Sequence, residues 1–101
     1  MEITLTFEEH RALIVVDIAI TSDNAYLFQK KLEEVLKSDM RRLEIDFSAC
    51  KIICSTGIGQ LIKFYKDFSV KKGEVEVIRC SVPVYDLFTT IKLSQLIPIN
   101  L

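Results

Sequence analysis

Histidine is nearly missing from this sequence: His10 is the only one in 101 residues. A lone imidazole in a polar stretch, with no Cys or Asp partner beside it, cannot complete a Ser/His/Asp set. Cysteine is scarce and odd in number, with Cys50, Cys54 and Cys80. A disulfide framework normally uses an even count, so reduced thiols in a cytoplasmic setting are expected. Cys50 and Cys54 lack the second Cys pair or the His residues that a zinc site needs, so no metal is expected. Neither charge sign dominates: 13 basic residues face 14 acidic ones, a net charge of −1. That balance leaves no electrostatic footprint for nucleic acid or a membrane surface. The longest apolar run, 12–20, is interrupted by Asp17 and is too short for a membrane span. Residues 1–9 carry two Thr and three Glu where a signal peptide would place its leader, so none is expected. No G-x-x-x-x-G-K-[ST] loop is present, and the pair Gly57/Gly59 lacks the third Gly of a dinucleotide fingerprint. Asp17 and Asp46 read as solvated or capping carboxylates at strand ends rather than as an acid/base pair. These absences point away from an enzyme and from any cofactor.

What is present is a core and a regular alternation of elements. Half of the residues are hydrophobic, enough for one domain spanning 1–101. Ile3, Leu5 and Phe7 alternate with Thr4, Thr6 and Glu8, the period of a strand with one wet face. After a polar break with His10 at its tip, the run 12–20 reads as a strand buried on both faces, paired to the first as a hairpin. Thr21-Ser22-Asp23-Asn24 is a capping cluster, followed by a helix over 23–38 whose inner face is Ala25, Phe28, Leu32, Val35 and Leu36. Leu43, Ile45 and Phe47 mark a third strand, and Ile52-Ile53 returns the chain to the core. The second helix, 56–71, has the stripe Ile58, Leu61, Ile62, Tyr65 and Phe68. It ends at Lys71-Lys72-Gly73, where Gly suits a left-handed cap. Val75, Val77 and Ile78 form a fourth strand. Ser81 caps a third helix, 82–91, with the face Val84, Leu87, Phe88 and Ile91, and Pro83 is tolerated in its first turn. Leu96, Ile97 and Ile99 suggest a last edge strand beside Pro98. The expected fold is a single α/β domain: a mixed sheet of four or five strands with three helices packed against it.

The stretch that joins the third strand to the second helix is Cys-Ser-Thr-Gly-Ile-Gly, residues 54–59. Ser55 or Thr56 is placed to cap the helix, because a short hydroxyl accepts a hydrogen bond from the first unpaired N–H groups. Gly57 and Gly59 leave the first turn bare, open to the approach of another molecule. The helix start favours anions, so a hydroxyl there can either cap or carry a phosphate. The same dipole makes Cys54 the thiol expected to react first.

Residues 43–61, LEIDFSACKIICSTGIGQL, resemble the signature of the STAS domain (sulfate transporter and anti-sigma factor antagonist). That signature is an apolar strand ending in Asp, a short loop, then Asp-Ser-[Ser or Thr]-Gly-[Leu or Ile]-Gly. Lys71-Lys72-Gly73-Glu74 and the run Ser81-Val82-Pro83-Val84-Tyr85-Asp86-Leu87-Phe88 extend the likeness over nearly the whole chain. The resemblance implies an anti-sigma factor antagonist, a monomer or weak dimer that binds an anti-sigma factor which is also a serine kinase of ATPase fold. It implies phosphorylation at Ser55, with Thr56 as the second hydroxyl. The partner surface would comprise Thr21, Asp23, Cys54, Ser55, Thr56, Gly57, Ile58 and Gly59. Two positions depart from the pattern: Cys54 stands where the motif has Asp, and Thr21 where the first helix often begins with Asp, although Asp23 lies two residues on. The alternative implied is a STAS scaffold without phosphorylation, in a stress-signalling complex or as an accessory subunit of a lipid-transport ABC system.

Overall fold

The computed structural model describes residues 3–101. Four strands, β1 (Ile3–Phe7), β2 (Ala12–Val16), β3 (Arg42–Phe47) and β4 (Glu74–Cys80), form one sheet in the order β1-β2-β3-β4. The first pair is an antiparallel hairpin; β2–β3 and β3–β4 are parallel. Three helices connect and follow the parallel strands: α1 (Ala25–Lys37), α2 (Ser55–Val70) and α3 (Val82–Thr90). The mixed α/β domain read from the periodicities is therefore the fold observed.

Strand alternation divides the sheet into two unlike faces. The register sets Leu5, Ile14, Ile45 and Val77 in one row across it, and Phe7, Ala12, Leu43 and Val75 in the next. This face carries the core. The ring of Phe47 touches Phe28 of α1 at 5.9 Å and Phe88 of α3 at 5.7 Å between centroids. The opposite face holds Thr6, Leu13, Glu44 and Glu76 in one row and remains partly exposed. There Arg42 bonds Glu44 and Glu76, and Arg11 bonds Glu44. Because this face is uncovered, β2 is buried on one side only, not on both, and it ends at Val16 with Asp17 exposed.

Several local expectations change in the folded chain. The segment after α3 makes a 3-10 turn at Leu93–Gln95 and touches the sheet through one bridge, Val77 to Ile99, instead of a fifth strand. Pro98 has no N–H to extend the ladder. In α2 the buried line is Gly57, Leu61, Phe64 and Phe68, while Ile58, Ile62 and Tyr65 are only half-buried. At the end of α2 the left-handed residue is Lys72, with φ of 64°, and Gly73 has no positive φ. Gly73 is required for space: a Cβ there would lie 2.5 Å from the Phe68 ring. Lys71 Nζ secures the same corner by donating to Leu36 O at 3.0 Å and Ser38 O at 2.7 Å.

Candidate functional site

Parallel strands followed by helices place every helix start at one end of the sheet. The loops after β2 and β3, and Ser81 after β4, therefore converge there with the N-termini of α1, α2 and α3. One short parallel bridge joins the first two loops. Ile20 N–H donates to Ile52 O at 2.8 Å, and Cys54 N–H donates to Ile20 O at 2.9 Å. The bridge brings residue 21 and its turn beside the start of α2. The third loop is tied in by Ser81, whose buried hydroxyl donates to Cys50 O at 2.5 Å.

Cys54, not Ser55 or Thr56, is the N-cap of α2, and no side chain caps this helix. Its extended backbone (φ −75°, ψ 166°) turns the chain, and its carbonyl accepts the first helical bond from Ile58 N–H at 3.0 Å. The capping role expected for the two hydroxyls is thus overturned. Ser55 and Thr56 are the first two helical residues, and both are exposed. Ser81 likewise precedes α3 without a side-chain cap, because its hydroxyl is engaged with Cys50.

The two glycines have opposite surroundings. Gly57 is buried: a Cβ there would meet Ile20 Cγ2 at 3.0 Å and Ile53 Cγ1 at 3.1 Å. Its bareness lets the helix sit against the bridge and offers nothing to another molecule, contrary to the expectation for the first turn. Gly59 has no atom within 4 Å of such a Cβ and is open to solvent. Ile58 is half-buried beside it.

Thr21 and Asp23 are both exposed on the neighbouring turn. Thr21 N–H donates to Asn24 Oδ1 at 2.8 Å, Asp23 N–H to Thr21 Oγ1 at 3.3 Å, and Asn24 Nδ2 to Ala19 O at 2.9 Å. These bonds hold the turn in place. Cys54 is half-buried, whereas Cys50 and Cys80 are buried, and burial pushes both of those thiols up from their ordinary pKa. All three are free of disulfides.

Three apolar side chains are exposed at this end. Tyr26 and Val82 were not singled out as surface from the sequence. Ile52, expected to return to the core with Ile53, does not, so only Ile53 is buried. Tyr26 in the first turn of α1 is 59% exposed, and Ile52 and Val82 are each 61% exposed. The signal for Ile52 was its pairing with Ile53: in extended chain two successive side chains face opposite ways, so only one reaches the core. Asp46 accepts the N–H of Ser48 at 2.8 Å and so serves the loop after β3. Among the described residues no group of His, Cys, Asp and Glu gathers as a metal-ligand set, and no helix is long and apolar enough to cross a membrane.

Compared with curated proteins by sequence, the chain has no match. Among solved structures it resembles an anti-sigma factor antagonist from Mycobacterium paratuberculosis, with TM-score 0.86 and 17% identity over 97% of this chain and 83% of that one. It resembles the anti-sigma factor antagonist SpoIIAA in its unphosphorylated form, with TM-score 0.83 and 12% identity over 98% of this chain and 88% of that one. The phosphorylated form of the Bacillus cell fate determinant SpoIIAA gives TM-score 0.76 and 11% identity, covering 98% and 91%. At these identities the likeness is one of fold. The model of the STAS domain matches residues 3–101, the length over which the strand order, the helix starts and the Ser55 turn have just been traced, and the chain belongs to the STAS domain family.

Proposed function

We propose that this protein is a partner-switching module of the anti-sigma factor antagonist type, not an enzyme, that acts in the cytoplasm. It binds an anti-sigma factor that is also a serine kinase of ATPase fold, through the end of the sheet where the three helices start. Ser55 is the switch, with Thr56 as the second hydroxyl. The observation that carries this reading is the position of Ser55: exposed, first in α2, and relieved of capping by Cys54. A partner can reach its hydroxyl without opening the fold. SpoIIAA, which has the same fold, has a phosphorylated and an unphosphorylated form, which supports a switch by phosphorylation.

A phosphate on Ser55 adds a charge of about −1.5 to −2. No acidic side chain lies in the first turn of α2 to repel it, and the helix dipole favours it. The added charge acts on the docking surface, where the exposed apolar residues Ile52, Val82 and Tyr26 must be desolvated by a partner.

Incubation with a cognate anti-sigma kinase and ATP, followed by intact-mass measurement, tests the switch. The expected result is one phosphate, lost in Ser55→Ala. Ser55→Ala should keep its stability within about 0.5 kcal/mol, since no cap is removed. Ser55→Asp should fold normally and lose the kinase. No phosphate, together with undiminished binding by Ser55→Asp, refutes the switch. A second reading, a STAS scaffold or ABC-transport accessory subunit without phosphorylation, is favoured by one observation: Cys54 and Thr21 replace both carboxylates beside the acceptor. Recovery of ABC subunits or of large STAS assemblies with the native protein supports that reading.

A further inference from the structure

The two edges of the sheet are treated differently. The outer edge of β4 is covered by the chain itself: Val77 N–H donates to Pro98 O at 2.9 Å and Asn100 N–H to Val77 O at 3.0 Å. The outer edge of β1 pairs with nothing among the described residues. Natural sheets protect such an edge with Lys, Pro, a bulge or an inward charge. β1 has none of these. Its sequence is Ile-Thr-Leu-Thr-Phe, uncharged and rich in strand-forming residues, in regular register with β2 along its whole length.

We propose that β1 is a self-association edge, at which a second copy of this chain adds its own β1 in antiparallel pairing to make a continuous eight-stranded sheet. The strand is nearly symmetric about Leu5. A two-fold axis there sets Leu5 against its own copy, Thr4 against Thr6 of the other copy, and Ile3 against Phe7. An isologous contact requires this kind of self-complementarity. The pairing keeps the faces in phase. Ile3, Leu5 and Phe7 stay on the core side and the threonines on the open side, so no polar side chain is turned inward. It also covers Phe7, which is 47% exposed although it lies in the same row as the buried Ala12, Leu43 and Val75. The outward N–H and C=O groups of both strands gain partners without rearrangement. This surface lies on a different element from Ser55, so dimerisation and switching stand or fall separately.

Sedimentation equilibrium of the full chain tests the proposal. A five-residue strand pair with its flanks is a small interface, so association is expected at concentrations on the order of 100 µM. The mass should rise from 11.6 kDa toward twice that value. The double variant Thr4→Lys with Thr6→Lys places like charges opposite each other and should remain monomeric at the same concentration. The double variant Thr4→Glu with Thr6→Glu should do the same. Mixed one to one, the two should restore the doubled mass, because each Lys then faces a Glu. Unchanged far-UV circular dichroism shows that each variant has folded. A wild type that stays monomeric up to about 1 mM overturns the proposal, and so does a dimer that survives in the lysine variant or a mixture that fails to associate.

Discussion

Replacing the two motif glycines one at a time should shift stability in opposite directions. At Gly59 a new Cβ meets nothing within 4 Å, and the residue lies inside α2. Gly costs roughly 0.5–1 kcal/mol relative to Ala in a helix, so Gly59→Ala should stabilise by about that amount. For a domain of this size, that is a rise in Tm of roughly 2–8 °C. At Gly57 a first carbon would already stand 3.0 and 3.1 Å from Ile20 and Ile53, and both of those side chains are buried. Carbon pairs prefer about 3.5–4.0 Å, and Gly57→Val adds two further methyls to the same closed corner. Overpacking of this kind costs about 1–3 kcal/mol, less a few tenths recovered from helix propensity, which leaves a loss of roughly 2 kcal/mol. The Tm should fall by about 8–16 °C. Urea unfolding followed by circular dichroism measures both, with an unchanged m-value as the check that the transition itself is unaltered. Because Gly57 presses α2 onto the Ile20–Ile53 bridge, Gly57→Val should also displace Ser55 and weaken partner binding. Shifts of the same sign and size in the two variants would refute the claim that one glycine is packed and the other open.

At the other end of α2, Gly73→Ala should destabilise by about 1–3 kcal/mol, since the Phe68 ring it would strike is itself stacked on Phe64 at 4.8 Å. Lys72→Gly should be neutral or stabilising by up to about 1 kcal/mol, because Lys72 holds the left-handed conformation; thermal denaturation of the pair shows which residue is the cap. Maleimide labelling of the native protein should modify Cys54 first. Equal rates at Cys50 or Cys80, read by peptide mass mapping, would contradict their burial. Burial works to raise the Glu44 carboxyl, but the hydrogen bonds from Arg42 and Arg11 outweigh it and hold the group below its ordinary pKa. A carboxylate lowered in the folded state stabilises above its unfolded pKa of about 4.3 and loses that contribution as pH falls through the folded value. Glu44→Gln should therefore flatten the acid side of the stability–pH curve below about pH 4.3, with little change in the slope at neutral pH.

The sequence by itself determined the element order from β1 to α3. Period-two alternation at Ile3-Leu5-Phe7 and Leu43-Ile45-Phe47, and helical spacing at Ala25-Phe28-Leu32-Val35, are local consequences of which side chains must leave water. The helix bounds fall within two residues of those read from caps and periodicity. The stretch 54–59 was legible as the place where a strand hands over to a helix. Tertiary structure decided how each residue of that stretch is used. Cys54 became the N-cap because its N–H is held by Ile20, a residue 34 positions earlier that local sequence cannot bring near. Gly57 and Gly59, alike in sequence, differ because only one faces the Ile20–Ile53 bridge. Phe64 joined the buried line and Ile62 stayed half-buried because α2 packs against both α1 and β4, which rotates its inner face away from the stripe that propensity favours. Residues 96–99 are apolar throughout and read as an edge strand, yet with Pro98 lacking a donor they reach β4 through one bridge. In each case the contact that decides the outcome comes from a distant part of the chain, which local periodicity does not contain.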